Sequence, residues 1–156
     1  MSDRVRRGDR GQAGGMEVLP FGLLIFVGGA LLLVNIWGVV DTRFAADAAA
    51  REATRWVVES AGRGVSAEAV REGATTVAEA TMADHGKRSP VEVVVDPPGA
   101  TFVRCEHIRV TVETSVPAIR LPFLGGYGEP FEVRATHAEL VDPTRSGVDG
   151  VATCIE

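Results

Sequence analysis

The stretch that decides the fold runs from residue 18 to residue 60 and reads VLPFGLLIFVGGALLLVNIWGVV followed by DTRFAADAAAREATRWVVES. Its first 23 residues, 18–40, carry no charged side chain. As an α-helix they would extend about 34 Å, slightly more than the roughly 30 Å hydrocarbon core of a bilayer. Residues 41–60 lack Pro and Gly and are rich in Ala, Arg and Glu, which favour helix. We therefore predict one helix over about residues 18–61, half of it spanning a membrane.

Arginines before the apolar stretch favour a cytoplasmic amino terminus. Residues 1–17 contain four Arg against three acidic residues, although three more Arg follow within residues 43–55. Chain lengths weigh more, because a short tail is readily retained whereas residues 41–156 can be translocated largely regardless of their charge. We predict a single-pass protein of the cell membrane, with a cytoplasmic tail over 1–17, a transmembrane helix over 18–40 and an extracytoplasmic domain over 41–156.

A cleaved secretory signal is the alternative to an anchor. Ala46-Asp47-Ala48 and Ala48-Ala49-Ala50 offer small residues at the spacing that signal peptidase favours. Ordinary signals have an apolar region of only about 7–15 residues. The alanines also lie at least six residues past the end of the apolar run, in a stretch predicted to be helical. The sequence favours the anchor.

The outer domain is predicted to contain a second helix. Ser66 can cap a helix that carries Glu68 in its first turn and ends near His85 and Gly86. We expect its apolar stripe to be Val70, Ala74, Val77 and Thr81. On the outer half of the first helix, we expect the apolar side to be Phe44, Ala48, Trp56 and Val57.

Strands are predicted after Pro90, where the sequence changes to alternation with a period of two. Apolar and polar residues alternate over 91–96, 108–116 and 131–136, as in strands with one covered face. The order of two helices followed by a small antiparallel sheet is an α+β arrangement. We expect the long helix to cover the apolar face of the sheet.

The segment Gly11-Gln12-Ala13-Gly14-Gly15-Met16-Glu17 lies directly before the apolar run. It reads either as a flexible tail with Glu17 at a helix amino terminus, where the helix dipole favours an anion, or as a processing site for a cytoplasmic-side peptidase. After processing, Glu17 could pair with the new amino terminus of a neighbouring subunit. Gly28-Gly29-Ala30 and Asn35 would offer that neighbour close packing and a polar contact.

This array resembles the TadE/TadG-like proteins, pseudopilins of the tight-adherence (Flp) branch of type IV pili. The resemblance covers about residues 8–58 and rests on DRGQA at 9–13, Glu17, the apolar run and AAAREATR at 48–55. It implies a pilin-like fold, cleavage by a prepilin peptidase, and assembly with other pilin-like or pilus-assembly proteins.

The sequence departs from the family at the cleavage site. In the family, cleavage follows a Gly and leaves Glu as the fifth mature residue. Here cleavage after Gly11, which would leave Gln12 first, makes Glu17 the sixth residue, whereas cleavage after Gly14 or Gly15 makes it the third or second.

Cys105 and Cys154 are the only two cysteines and both lie in the part assigned outside. An even count in an oxidising compartment favours a disulfide over two buried thiols. Metal binding is a weaker interpretation, because Cys105-Glu106-His107 lacks the usual ligand spacing.

Residues 121–131, LPFLGGYGEPF, form an apolar, glycine-rich connection between two predicted strands. We expect either a long hairpin loop folded onto the sheet edge or a contact loop for a neighbouring subunit. In the second case Phe123, Leu124 and Tyr127 would form an unusual exposed apolar patch.

Enzymatic and nucleic-acid functions are not expected. The net charge of −5 disfavours binding to phosphates, and the sequence contains no Gly-x-Ser-x-Gly, no His-Glu-x-x-His and no cysteine pair at zinc spacing. No cofactor or metal is expected, and the bilayer is the first predicted partner. The sequence therefore indicates a structural role in pilus assembly or secretion. A membrane-anchored extracytoplasmic binding module without a pilus role is the alternative.

Overall fold

The chain is described by a computed structural model over residues 18–98, 102–121 and 123–154. It contains helices α1 (Val18–Ser60) and α2 (Ala67–Asp84), then strands β1 (Val91–Asp96), β2 (His107–Val116), β3 (Ile119–Leu121), β4 (Gly125–Tyr127) and β5 (Phe131–Leu140). A long apolar helix, a second helix and a small antiparallel sheet follow one another, so the predicted α+β, pilin-like layout is confirmed.

Helix α1 has two halves with different surroundings. Its apolar half, residues 18–40, is long and apolar enough to cross a membrane and is exposed except for half-buried Leu31, Asn35, Gly38 and Val39. Its outer half packs against α2, β2 and β5. The buried residues there are mainly small: Ala45, Ala46, Ala49, Ala50, Ala53, Thr54, Val57 and Val58.

The predicted apolar side of this outer half is wrong in part. Phe44 is 65% exposed, Ala48 and Trp56 are half-buried, and only Val57 of the four expected residues is buried. Alanines occupy the packed face because their short side chains let α2 and the sheet approach the helix closely. The bulky side chain of Phe44 therefore lies outside that contact.

Helix α2 begins and ends where the sequence predicts. The Ala69 N–H donates to Ser66 Oγ over 3.3 Å, and Gly86 follows the helix at a positive φ of 72°. Its buried stripe is Val70, Ala74, Ala78 and Met82. Val77 and Thr81 are only half-buried, so the predicted stripe is correct in the first turns and displaced by one residue in the last turns.

The main sheet has the order β1-β2-β5, with both pairs antiparallel. Alternation is confirmed on the central strand, where Ile108, Val110 and Val112 are buried against α1. Phe131 was expected on the covered face, but it is 55% exposed. It pairs with Val116 at the last position of the β2-β5 ladder, and β5 is an edge strand of the sheet.

The carboxyl-terminal segment closes the outer end of α1. Arg145 Nε donates to Ala61 O over 3.0 Å and its Nη2 donates to Glu59 O. Buried Val148 lies against Gly62, where an added Cβ would come within 2.8 Å of it. These contacts satisfy carbonyl groups that every helix end leaves unpaired.

Candidate functional site

The predicted processing residues Gly11, Gln12, Gly14, Gly15 and Glu17 lie outside the described residues. The candidate surface that the structure does describe is the junction between the apolar half of α1 and the domain formed by the rest of the chain. Three features meet there: Asn35 in the helix, the ion pair at Asp41, and the hairpin made of β3 and β4.

The apolar half of α1 presents bare hydrophobic surface. Leu24, Phe26, Leu33 and Trp37 are all more than 60% exposed. Among the described residues, none lies within 4 Å of a Cβ added at Gly28 or Gly29. A helix with large apolar side chains all around it is suited to lipid, and a Gly-Gly step on it is suited to close approach by another helix.

Asn35 is bonded within its own chain. Its Oδ1 accepts from the Arg120 N–H over 2.5 Å, and its Nδ2 donates to Arg120 O over 3.3 Å and to Leu31 O over 2.8 Å. The side-chain amide therefore pairs with the edge of β3 as a neighbouring strand would. Within the chain, both ends of the Asn35 amide hold the hairpin. The expected polar contact of Asn35 with a neighbouring helix stays a prediction.

An ion pair lies at the end of the uncharged stretch of α1. Lys87 Nζ lies 2.5 Å from Asp41 Oδ2 and joins the chain just after α2 to the first charged residue of α1. The hydrogen bond from Lys87 and the charge of its ammonium hold the pKa of Asp41 below its ordinary value of 3.8. The pair thereby orients the outer domain on the helix.

This ion pair predicts a pH dependence of stability. Because the pKa of Asp41 is lower in the folded state, its contribution is complete above pH 3.8 and is lost as pH falls through the folded-state pKa. We expect Asp41→Asn to destabilise the protein near neutral pH. The difference from wild type should shrink in acid when unfolding is followed by circular dichroism.

Asp84→Asn is the control for that experiment, since it removes an exposed carboxylate from the end of α2. Near neutral pH it should not reproduce the destabilisation expected of Asp41→Asn. A difference between Asp41→Asn and wild type that is constant down to the acid transition would contradict a role for the ion pair.

The glycine-rich connection forms its own hairpin. Ile119–Leu121 pairs with Gly125–Tyr127 as an antiparallel hairpin, as expected, but this hairpin is a separate two-stranded sheet and does not join the edge of the main sheet. Phe123 is fully exposed, Leu124 is 68% exposed and Tyr127 is 50% exposed. The expected apolar patch exists, and its role as a subunit contact stays a prediction.

Cys105 and Cys154 lie together, as expected, with their Sγ atoms 2.04 Å apart in a disulfide. Neighbouring hydrogen bonds hold the same two segments: Arg104 N–H donates to Asp149 O over 2.7 Å and Cys105 N–H donates to Val141 O over 3.0 Å. The bridge therefore attaches the carboxyl-terminal segment that closes the end of α1.

Within the described ranges, no group of three or more His, Cys, Asp or Glu side chains is placed to hold a metal ion. No family model, curated protein or solved structure matches the chain.

Proposed function

We propose that the chain is a membrane-anchored, pseudopilin-like component of a tight-adherence type IV pilus assembly or secretion system, with a structural rather than a catalytic role. The observation that carries the proposal is the single 43-residue helix α1. Half of it is bare and apolar, and the other half is the main support of the outer domain. Such a protein can be held in a bilayer and still present a rigid folded domain outside it.

The continuity of α1 supports an assembly role over simple tethering. A tether needs only a span and a flexible linker, whereas here the span continues without a break into the packed core. Any displacement of the apolar half is therefore transmitted to the outer domain. Exposed apolar surface can also pass from lipid to neighbouring helices at small cost, because lipid tails are about as apolar as leucine side chains.

Glu17 supplies the charge expected at such a helix-helix contact. It precedes an uncharged stretch of 23 residues, so it lies at the membrane edge if that stretch spans the bilayer. Moving an ionised, unpaired carboxylate to the bilayer centre costs about 3 kcal/mol of insertion free energy. A positive amino terminus on a processed neighbouring subunit would relieve that cost. The resemblance to TadE/TadG-like proteins includes this glutamate, although its distance from each candidate cleavage site differs from that in the family.

We expect Glu17→Gln to insert in the membrane normally but to lose most of its co-purification with pilin-like partners. The substitution keeps size and hydrogen bonding and removes only the charge. The measurement is affinity purification of the full chain from gently solubilised membranes of its own cells, with partners quantified by mass spectrometry. The same spectra identify the mature amino terminus and so report whether a prepilin peptidase acts.

Glu72→Gln is the matched control, because it removes an exposed carboxylate from α2 in the outer domain. It should leave co-purification unchanged. Wild-type recovery of partners with Glu17→Gln, together with an unprocessed amino terminus, would contradict the pseudopilin role. The remaining interpretation would then be an anchored binding module.

A further inference from the structure

We propose that the β3-β4 hairpin, made of Ile119–Leu121, Gly125–Tyr127 and the tip residues Phe123 and Leu124 between them, is a second membrane contact that inserts its tip into the lipid surface beside α1. The inference rests on the proposed membrane anchoring by residues 18–40 and adds a site to it. The partner is a phospholipid interface, with apolar side chains entering the acyl region and Arg120 remaining at the level of the phosphates.

The direction of the chain places the hairpin beside the membrane-spanning segment. Thr54 Oγ1 lies 3.5 Å from His137 O, and His137 pairs with Val110. Ten residues after Val110, Arg120 bonds to Asn35. Along α1, Asn35 lies about 28 Å from Thr54. The ten residues from Val110 to Arg120, if extended, cover about 33 Å. The chain therefore runs nearly straight along α1 toward its amino terminus.

The hairpin reaches the depth at which lipid begins. A span of about 20 residues suffices for a hydrocarbon core, so a core that starts at Val18 ends near Trp37. Trp37 is 71% exposed, and tryptophan is enriched at the boundary between lipid and water. Asn35 fixes Arg120 at this boundary, and Phe123 can extend at most about 10 Å further. Interfacial segments bury their apolar groups by about 5–10 Å.

The hairpin has charged residues at its base and apolar residues at its tip, as expected for a segment that enters a lipid surface tip first. Residues 121–128 carry no charge, whereas Arg120 and Glu129 flank them. Ile119 pairs with Tyr127, and both are half exposed, so they form one apolar face below the exposed Phe123 and Leu124. Arginine at such a boundary keeps its charged head near the phosphates.

One edge of the hairpin is already paired within the chain, as a lipid surface requires. An open strand edge is costly in lipid unless its polar groups are paired, and the Asn35 amide pairs with both the N–H and the C=O of Arg120. The apolar tip continues the bare apolar surface of α1, whose proposed surroundings are lipid. A second copy of the chain is the competing occupant, and the following experiment separates the two.

The experiment places an indole at the tip and measures its depth. Full-length protein with Trp37→Phe and Phe123→Trp is reconstituted into phosphatidylcholine vesicles with and without acyl-brominated lipid. Trp56 contributes the same background fluorescence in every protein. The single variant Trp37→Phe measures this background. Trp37→Phe with Val151→Trp is the matched control, since Val151 is also exposed but lies in the carboxyl-terminal segment. Wild-type Trp37 reports the anchor.

We expect brominated lipid to quench the indole introduced by Phe123→Trp at least half as strongly as Trp37, and the one introduced by Val151→Trp hardly at all. If Trp37 itself is not quenched, the proposed membrane anchoring fails. If Trp37 is quenched while the Phe123→Trp indole stays as accessible to aqueous iodide as the Val151→Trp indole, only the hairpin inference is overturned. Protection from both quenchers that grows with the protein-to-lipid ratio would overturn it in favour of a second copy.

Discussion

Replacing Cys105 and Cys154 together by serine is expected to lower the thermal midpoint of the outer domain by about 15 °C. The disulfide closes a loop with a sequence separation of 49. Removing such a bridge frees the unfolded chain and costs about 4 kcal/mol on the chain-entropy account. For a domain of roughly this size, each 1 kcal/mol corresponds to about 4 °C. Circular dichroism of the full chain in detergent micelles measures the midpoint.

Reduction of the wild-type protein is the control for the cysteine replacement, because it opens the same bridge without changing a side chain. The reduced protein and the double variant should unfold within a few degrees of each other. The hydrogen bonds of Arg104 to Asp149 and of Cys105 to Val141 persist in both, so the folded domain should keep its structure. A midpoint of the double variant close to that of the oxidised protein would contradict a stabilising bridge.

The sequence was sufficient for features governed by local periodicity. An uncharged run, a break at Gly62 and a cap at Ser66 fix the helix bounds, since each acts through neighbouring backbone groups. Alternation fixes the covered face of β2, because every second residue must point into the core. Those signals need no knowledge of what lies across the contact.

Tertiary contacts determine which residues of α2 are buried and which residue caps α1, and sequence periodicity does not predict either. The choice of Ala78 and Met82 over Val77 and Thr81 depends on how α2 approaches α1. Both sets have helical spacing, so the sequence alone does not separate them. The use of Arg145 as a cap for α1 depends on a residue 84 positions away.

The sequence predicted which residues make up the candidate site but not which of them contact one another. The apolar character of residues 121–131 and the presence of Asn35 in the span were visible in the sequence, but their connection was not. A polar residue within an apolar helix signals that some partner satisfies it. The partner is the Arg120 backbone, a group that carries no sequence signature.

The contact between Trp56 and Gly73 joins the two helices. It predicts that Gly73→Ala destabilises the protein when Trp56 is present and stabilises it when Trp56 is removed. A Cβ added at Gly73 would lie 2.0 Å from Cη2 of Trp56 and 2.3 Å from its Cζ2. Overpacking of this kind costs about 1–3 kcal/mol, whereas alanine in place of glycine inside a helix is worth about 0.8–1.0 kcal/mol. We therefore expect Gly73→Ala to destabilise the wild-type protein by up to about 2 kcal/mol.

In a Trp56→Ala background the ring is absent, and Gly73→Ala should then stabilise the protein by up to about 1 kcal/mol through helix propensity alone. Ala80→Gly at an exposed position of α2 measures that propensity separately and should cost a similar amount. Denaturant unfolding of the four cycle members gives the coupling energy, which should equal the overpacking cost of about 1–3 kcal/mol because the two residues are in direct contact. Additive effects, or stabilisation by Gly73→Ala in the wild-type protein, would show that the indole does not lie over Gly73, and the close approach of α1 and α2 would lose its explanation.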